Sequence, residues 1–176
     1  MTSNCANDII KKLKTKDKLR IYWEKTMKLK LKMRDLFLLM AGVIGIVAFF
    51  MVFVSPLYQK GIEETHFSFS DVYFGANGLK GAWLSFVGFV LILISTVMFF
   101  VAAFSDLKYS KIFSVCSLII ITCGIILALL TVRLFSAANS LPHNILGLGI
   151  GPILGSVYAT ISALCVVYAV FFTKNE

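Results

Sequence analysis

Apolar residues in this chain gather into four long runs separated by short polar segments. The first covers Leu36 to Val54, nineteen residues without a charge, and closes at Ser55-Pro56. The others cover about 82–104, 112–132 and 146–172. A helix rising 1.5 Å per residue needs about 20 residues to cross a hydrocarbon layer of about 30 Å, and each run is near or above that length. The runs are continuous, whereas a membrane barrel strand would be about 10 residues of alternating polarity. A helix also satisfies its backbone hydrogen bonds internally, as a segment in lipid must. The pattern predicts an all-α membrane protein, a four-transmembrane-helix bundle.

The segment 55–81 is the longest exterior loop. His66 to Phe74 alternates in polarity, is rich in β-formers and ends at Gly75-Ala76-Asn77-Gly78, which is turn chemistry. This predicts a short β-hairpin, which is marginal alone and would lean on the 133–145 loop or on a partner. Ahead of the first run, Leu19, Tyr22, Trp23, Thr26 and Met27 fall at helical spacing with lysines beside them. They predict an interfacial helix from about residue 17 into the first span. A basic stop that only sets topology is the competing reading.

Charge sharpens the picture. Only 15% of residues are charged and 59% are apolar, with a mean hydropathy of +0.87. Residues 1–35 hold eleven Lys or Arg against four acids, so this tail carries +7 of the net +8. Directly before an apolar run, such a cluster points to a cytoplasmic tail on anionic headgroups, with Lys25, Lys28, Lys30, Lys32 and Arg34 nearest the surface. Nucleic acid is not an expected partner. The tail, the 105–111 turn and the C-terminus together hold fourteen positive charges against three in the other two loops. The positive-inside rule then gives a multi-pass plasma-membrane protein with both ends cytoplasmic. The domains expected are a tail (1–35), a transmembrane domain (36–172) and a short C-terminus (173–176). The charged 35-residue lead and the poor cleavage context Val54-Ser55-Pro56 argue for a retained first span rather than a signal peptide.

Candidate chemistry is sparse. No Asp, Glu, Lys, Arg or His lies in the middle of any run, whereas ion-coupled transporters and intramembrane hydrolases carry such groups. Cys116 and Cys123 are about 10 Å apart along a helix, too far for a disulfide, and no Cys-x-x-Cys is present. His66 and His143 lack ligand spacing, so no metal or cofactor is expected; with Glu63 and Glu64 they form the weakest candidate, a surface enzyme. Gly151, Gly155, Ala159 and Ala163 recur every four residues and make a smooth face for helix packing or oligomerisation. Ala41, Gly42, Gly45 and Ala48 repeat this more weakly. Pro152 fits a helix that begins near Gly149, because a first-turn proline loses no hydrogen bond; a helix begun near Leu141 would be kinked there.

The order of basic tail, first span, exterior loop with Phe74-Gly75, two central spans and a last span opening Gly147-Leu148-Gly149-Ile150-Gly151-Pro152-Ile153-Leu154-Gly155 resembles small four-span bacterial proteins of unassigned function. The resemblance covers residues 36–172. The topology is also similar to claudin-like tetraspans, but Gly78-Leu79 is followed by Lys80 and the loop has no cysteine, so barrier function is not implied. The expected function is non-enzymatic: an accessory subunit, assembly factor or envelope-related factor contacting another membrane protein or a second copy. The alternative is a small oligomeric channel or transporter with Ser95, Thr96, Thr122, Ser156, Thr160 and Ser162 along its path.

Overall fold

In the computed structural model the described residues are 33–59, 65–75, 78–142 and 145–172. The chain divides into two units, 1–32 and 33–176, and these residues all belong to the second. The expected interfacial helix, Lys25, Lys28, Lys30 and Lys32, and residues 173–176 lie outside the described residues.

Four helices account for the apolar runs: α1 (Met33–Phe50, extended by a 3-10 turn, Met51–Phe53), α3 (Trp83–Phe104), α4 (Leu107–Leu129) and α6 (Ile150–Phe171). All four are long and apolar enough to cross a membrane. Between them stand β1 (Leu57–Gln59), β2 (Thr65–Phe67), α2 (Phe69–Tyr73), α5 (Thr131–Asn139) and β3 (Leu146–Leu148). Around the bundle, α1 packs on α3 and α6, and α4 packs on the same two, which closes a ring. The α3–α4 contact is the most extensive of these and α4–α6 the least.

Small residues set the close seams. Gly88 and Gly124 face each other across α3 and α4, where a Cβ on either would come within 2.8 Å of the other's carbonyl oxygen. Gly42 meets the Phe100 ring and Gly45 meets the Thr96 side chain, which draws α1 onto α3. Gly151 meets the backbone carbonyls of Met51 and Val54, and Gly155 meets Phe89 and the Ala48 carbonyl, which draws α6 onto the end of α1. Close backbone approach of this kind is what small residues permit in an apolar bundle. Larger side chains such as Leu38, Phe89, Ile92, Phe99, Ile121 and Val166 fill the remaining interior and are fully buried.

At one end the bundle carries a cap. The sheet order is β2-β1-β3, antiparallel throughout, with Tyr58 opposite His66 on one side and Gly147 on the other. The hairpin is therefore present but leans on residues 146–148, which the apolar pattern assigns to the last span. Its second strand stops at Phe67 rather than running to Phe74. Ser68 starts α2 through a capping box: its hydroxyl accepts from the Asp71 amide (3.3 Å) while the Asp71 carboxylate accepts from the Ser68 amide (3.1 Å). Such a cap contributes about 1 kcal/mol and overrides a five-residue alternation.

Two other boundaries differ from the sequence pattern. The third run ends at Leu129, and the expected 133–145 loop opens with α5, whose Thr131, Phe135 and Ser136 are buried. Only Ser105 and Asp106 separate α3 from α4, so the expected 105–111 turn is mostly helix. Helix α6 begins at Ile150 with Gly149 as N-cap, which puts Pro152 in the first turn.

Candidate functional site

The cap groups several polar side chains that meet through tertiary structure. Phe50, Phe53 and Val54 carry exposed side chains at the end of α1, and the chain then turns at Ser55-Pro56 into β1. The amides of Gly149 and Gly151 donate to the carbonyls of Pro56 (2.9 Å) and Ser55 (3.3 Å), continuing the β1–β3 ladder onto the start of α6. Gly147 leaves room for the Tyr58 ring, which lies over the position its Cβ would take. The result is a cavity of about 260 Å³ lined by Ser55, Tyr58, His66, Leu148, Gly149 and Ile150. Inside it Ser55 Oγ and His66 Nδ1 are 3.1 Å apart, and the Tyr58 and His66 rings are neighbours at 6.4 Å. A serine–imidazole pair can serve as nucleophile and base, but that role needs a third group to orient the ring. Glu63, Glu64 and His143, the other members of the sequence-level surface set, lie outside the described residues, which hold no three-residue metal-ligand cluster.

A second set ties the cap together. The Asn139 side chain mimics a strand: its oxygen accepts from the Lys80 amide (2.6 Å) and its nitrogen donates to the Lys80 carbonyl (2.8 Å). Ser140, at φ 54°, ends α5 in the left-handed region, and Ser136 Oγ donates to the Leu141 carbonyl (2.6 Å). Residues 78–82 lie back against the end of α2, with the Ala82 amide donating to the Val72 carbonyl at 2.7 Å. Gly75, at φ 77°, allows this, since a Cβ there would sit 2.6 Å from the Gly81 amide nitrogen. Beneath, Tyr73 is fully buried and in ring contact with Phe69, Phe86 and Phe89. Its hydroxyl has no hydrogen-bond partner of full geometry among the described residues. Burial pushes its phenol well above the ordinary range, which the nearby Thr131 hydroxyl offsets slightly. Thr131 itself is turned to Ser85 and to the Ala128 carbonyl.

The small-residue face of α6 lies inside the bundle. Gly151, Gly155 and Ala159 are buried, and Gly151 and Gly155 pack against α1 and its 3-10 extension within the same chain; Ala163 is partly exposed. The hydroxyls considered for a path do not share one surface. Thr122 and Thr160 are exposed, while Ser95, Thr96, Thr122 and Thr160 each donate to a carbonyl three or four residues earlier in their own helix. Ser162 bridges helices by donating to the Ala41 carbonyl (2.7 Å), and the buried Ser156 hydroxyl has no hydrogen-bond partner among the described residues. Arg34 pairs with its neighbour Asp35 at 2.7 Å.

Apolar spacing alone does not single out Ser55, Tyr58 or Asn139. The Gly147-Leu148-Gly149 triplet is the available signal for the cavity, because paired glycines ahead of a helix mark a close backbone approach. No known protein family, curated protein or solved structure matches the chain.

Proposed function

We propose that this chain is a multi-pass membrane protein without catalytic activity, acting through contacts made by its cap as an accessory, assembly or envelope-related factor. The observation that carries the membrane part is inverted packing. On the bundle, Val43, Val97, Ile119, Ile126, Val157 and Leu164 point outward, while Gly, Ala and Ser fill much of the interior. A water-facing surface would select the reverse, whereas lipid tails are as apolar as leucine and leave small-residue contacts to hold helices together. The basic tail favours both ends on the cytoplasmic face of the plasma membrane, with lysines on anionic headgroups, and on that reading the cap is exterior.

The cap is favoured as the contact surface because the α6 small-residue face is already covered by α1. Phe74 (61% exposed) and Trp83 (64% exposed) present rings at its edge, and the imidazole of His66 is open on the sheet. Partners of matching chemistry are another membrane protein or a second copy.

The test has two arms. Carbonate-washed membranes should retain the chain, and a single cysteine introduced at Ser70 should react from outside intact cells while one at Asp106 should not. A photo-crosslinker at Phe74 should give a discrete adduct that one at Ile119 does not. Extraction by carbonate removes the membrane reading. Equal adducts at both positions remove the cap as the contact surface.

A further inference from the structure

We propose that the cavity between the sheet and the start of α6 holds a phosphate group, presented by the headgroup of a membrane lipid. This rests on the membrane reading above, and the experiment separates the two.

The polar side chains around the cavity are Ser55, Tyr58 and His66, and among the described residues no carboxylate lines it. Hydroxyls and an imidazole supply donors, so the matching ligand is rich in acceptor oxygens. The Ser55–His66 contact runs through Nδ1, which leaves Nε2 of the ring for a ligand. When the imidazole carries both protons, Nδ1 donates to Ser55 and the serine hydroxyl is released toward the cavity as a further donor. The Tyr58 hydroxyl has no partner among the described residues and is only half-buried. The Gly149 and Gly151 amides are already committed to Pro56 and Ser55, so neither is left for a ligand. The site is thus built from side chains, with the positive end of a 22-residue helix behind them.

Position selects the form in which phosphate arrives. Ile150 in the lining is exposed and apolar, as are Phe53, Val54 and Ile153 beside the lining residues in the chain. They belong to the ends of the two apolar helices α1 and α6 that flank the cavity, so a ligand seated there meets both polar groups and exposed apolar side chains. A diacyl lipid has that profile; free phosphate does not. About 260 Å³ suits a single headgroup and falls just under the roughly 300 Å³ at which pockets for drug-sized ligands begin. The floor depends on glycine. A Cβ at Gly149 would lie 2.6 Å from the Pro56 carbonyl carbon, and one at Gly147 would displace the Tyr58 ring.

The test uses the full chain in a maltoside detergent, titrated with dioleoyl phosphatidic acid, dioleoylglycerol or inorganic phosphate. The chain has two histidines, so a His143→Asn background leaves His66 as the only imidazole signal in NMR spectra. Phosphatidic acid should shift the His66 resonances and add one lipid in native mass spectra, with dioleoylglycerol at least ten-fold weaker. The double variant Ser55→Ala, Tyr58→Phe should lose phosphatidic acid binding at least ten-fold with unchanged circular dichroism. If that pair disturbs folding, His66→Gln, read by native mass spectrometry, should show the same loss. Equal response to dioleoylglycerol, or undiminished binding by the folded variants, overturns the phosphate site. Inorganic phosphate acting at the lipid's concentrations overturns the lipid as source. Carbonate extraction is read separately, so loss of the membrane reading is not mistaken for loss of the site.

Discussion

The bundle and the cap are built on opposite rules. In the bundle, Gly88, Gly124, Ala128 and Ser114 are turned inward while Ile119 and Val97 are turned outward. Its hydroxyls mostly donate back into their own helices, as with Thr96 to the Ile92 carbonyl. In the cap, Leu57, Val72, Tyr73 and Phe135 are buried to the last atom, and polar side chains hold distant backbone, as Asn139 holds Lys80. The first suits the proposed lipid setting, in which an apolar exterior is not penalised and cohesion comes from close backbone approach. The second suits a water-facing fold, where rings must be covered and every loop amide needs a partner. On the proposed reading the cap is the surface suited to recognition, because it carries imidazole, hydroxyls and exposed rings where the bundle exterior is apolar.

The largest effect is expected from enlarging a residue at the α3–α4 seam. Gly88→Leu or Gly124→Leu forces α3 and α4 apart where their backbones cross, and backbone cannot yield as a side-chain tip can. Overpacking at a well-filled site costs roughly 1–3 kcal/mol, and more where only backbone can move. The expected outcome is loss of the monodisperse peak in detergent gel filtration. Ile119→Ala, on the outward face of α4, should leave that peak unchanged. Equal tolerance at both positions would mean that the α3–α4 seam is not what holds the bundle.

Smaller effects belong to the cap. Asn139→Ala frees the Lys80 amide and carbonyl to water, a loss of about 0.5–1.5 kcal/mol confined to the 78–82 segment. Trypsin should then cut after Lys80 faster than in the unaltered chain, while the bundle's thermal transition moves little. Ser68→Ala removes the α2 capping box and should cost about 1 kcal/mol, read as faster amide exchange at Asp71 and Val72. A global unfolding response to either variant would show cap and bundle to be one cooperative unit.

The two regions also differed in how far the sequence could be read. Four long helices are legible because a run of about twenty apolar residues has few other outcomes, and the ends at Phe104 and Phe171 fall within a residue of the apolar pattern. Pro152 and the glycines before it correctly place the start of α6. The cap is less legible because its decisive signals are short or distant. Ser68-x-x-Asp71 is a capping box inside an alternating stretch, and two local rules conflict there; the hydrogen-bonded cap prevails. Residues 146–148 are apolar enough to extend a helix, and only pairing with β1, nearly ninety positions earlier, makes them a strand. Asn139 reads as a loop residue until Lys80 is brought beside it. The cavity is harder still, since Ser55, Tyr58 and His66 meet only after both strand pairings exist.

The finest test of the boundary between the regions is Tyr73, whose ring seals the cap end of the bundle. An unpartnered buried hydroxyl carries a desolvation cost that a phenyl ring of the same shape avoids, so Tyr73→Phe should leave stability unchanged or raise it by up to about 1 kcal/mol. The sign with pH follows from burial. The folded chain holds the phenol proton more tightly than the unfolded chain, whose tyrosine titrates near 10. Below that value both states are protonated and Tyr73 makes no pH-dependent contribution. Above it the unfolded state gives up its proton first and stability falls until the folded phenol also ionises. Denaturant titrations at pH 8 and pH 11 should therefore show a drop in the unaltered chain that is smaller in Tyr73→Phe, with the other tyrosines common to both. A destabilised Tyr73→Phe at pH 8 would mean that the hydroxyl does bond at the mouth of the bundle, through Thr131 or water. The cap would then be held to the bundle by polar as well as apolar contact.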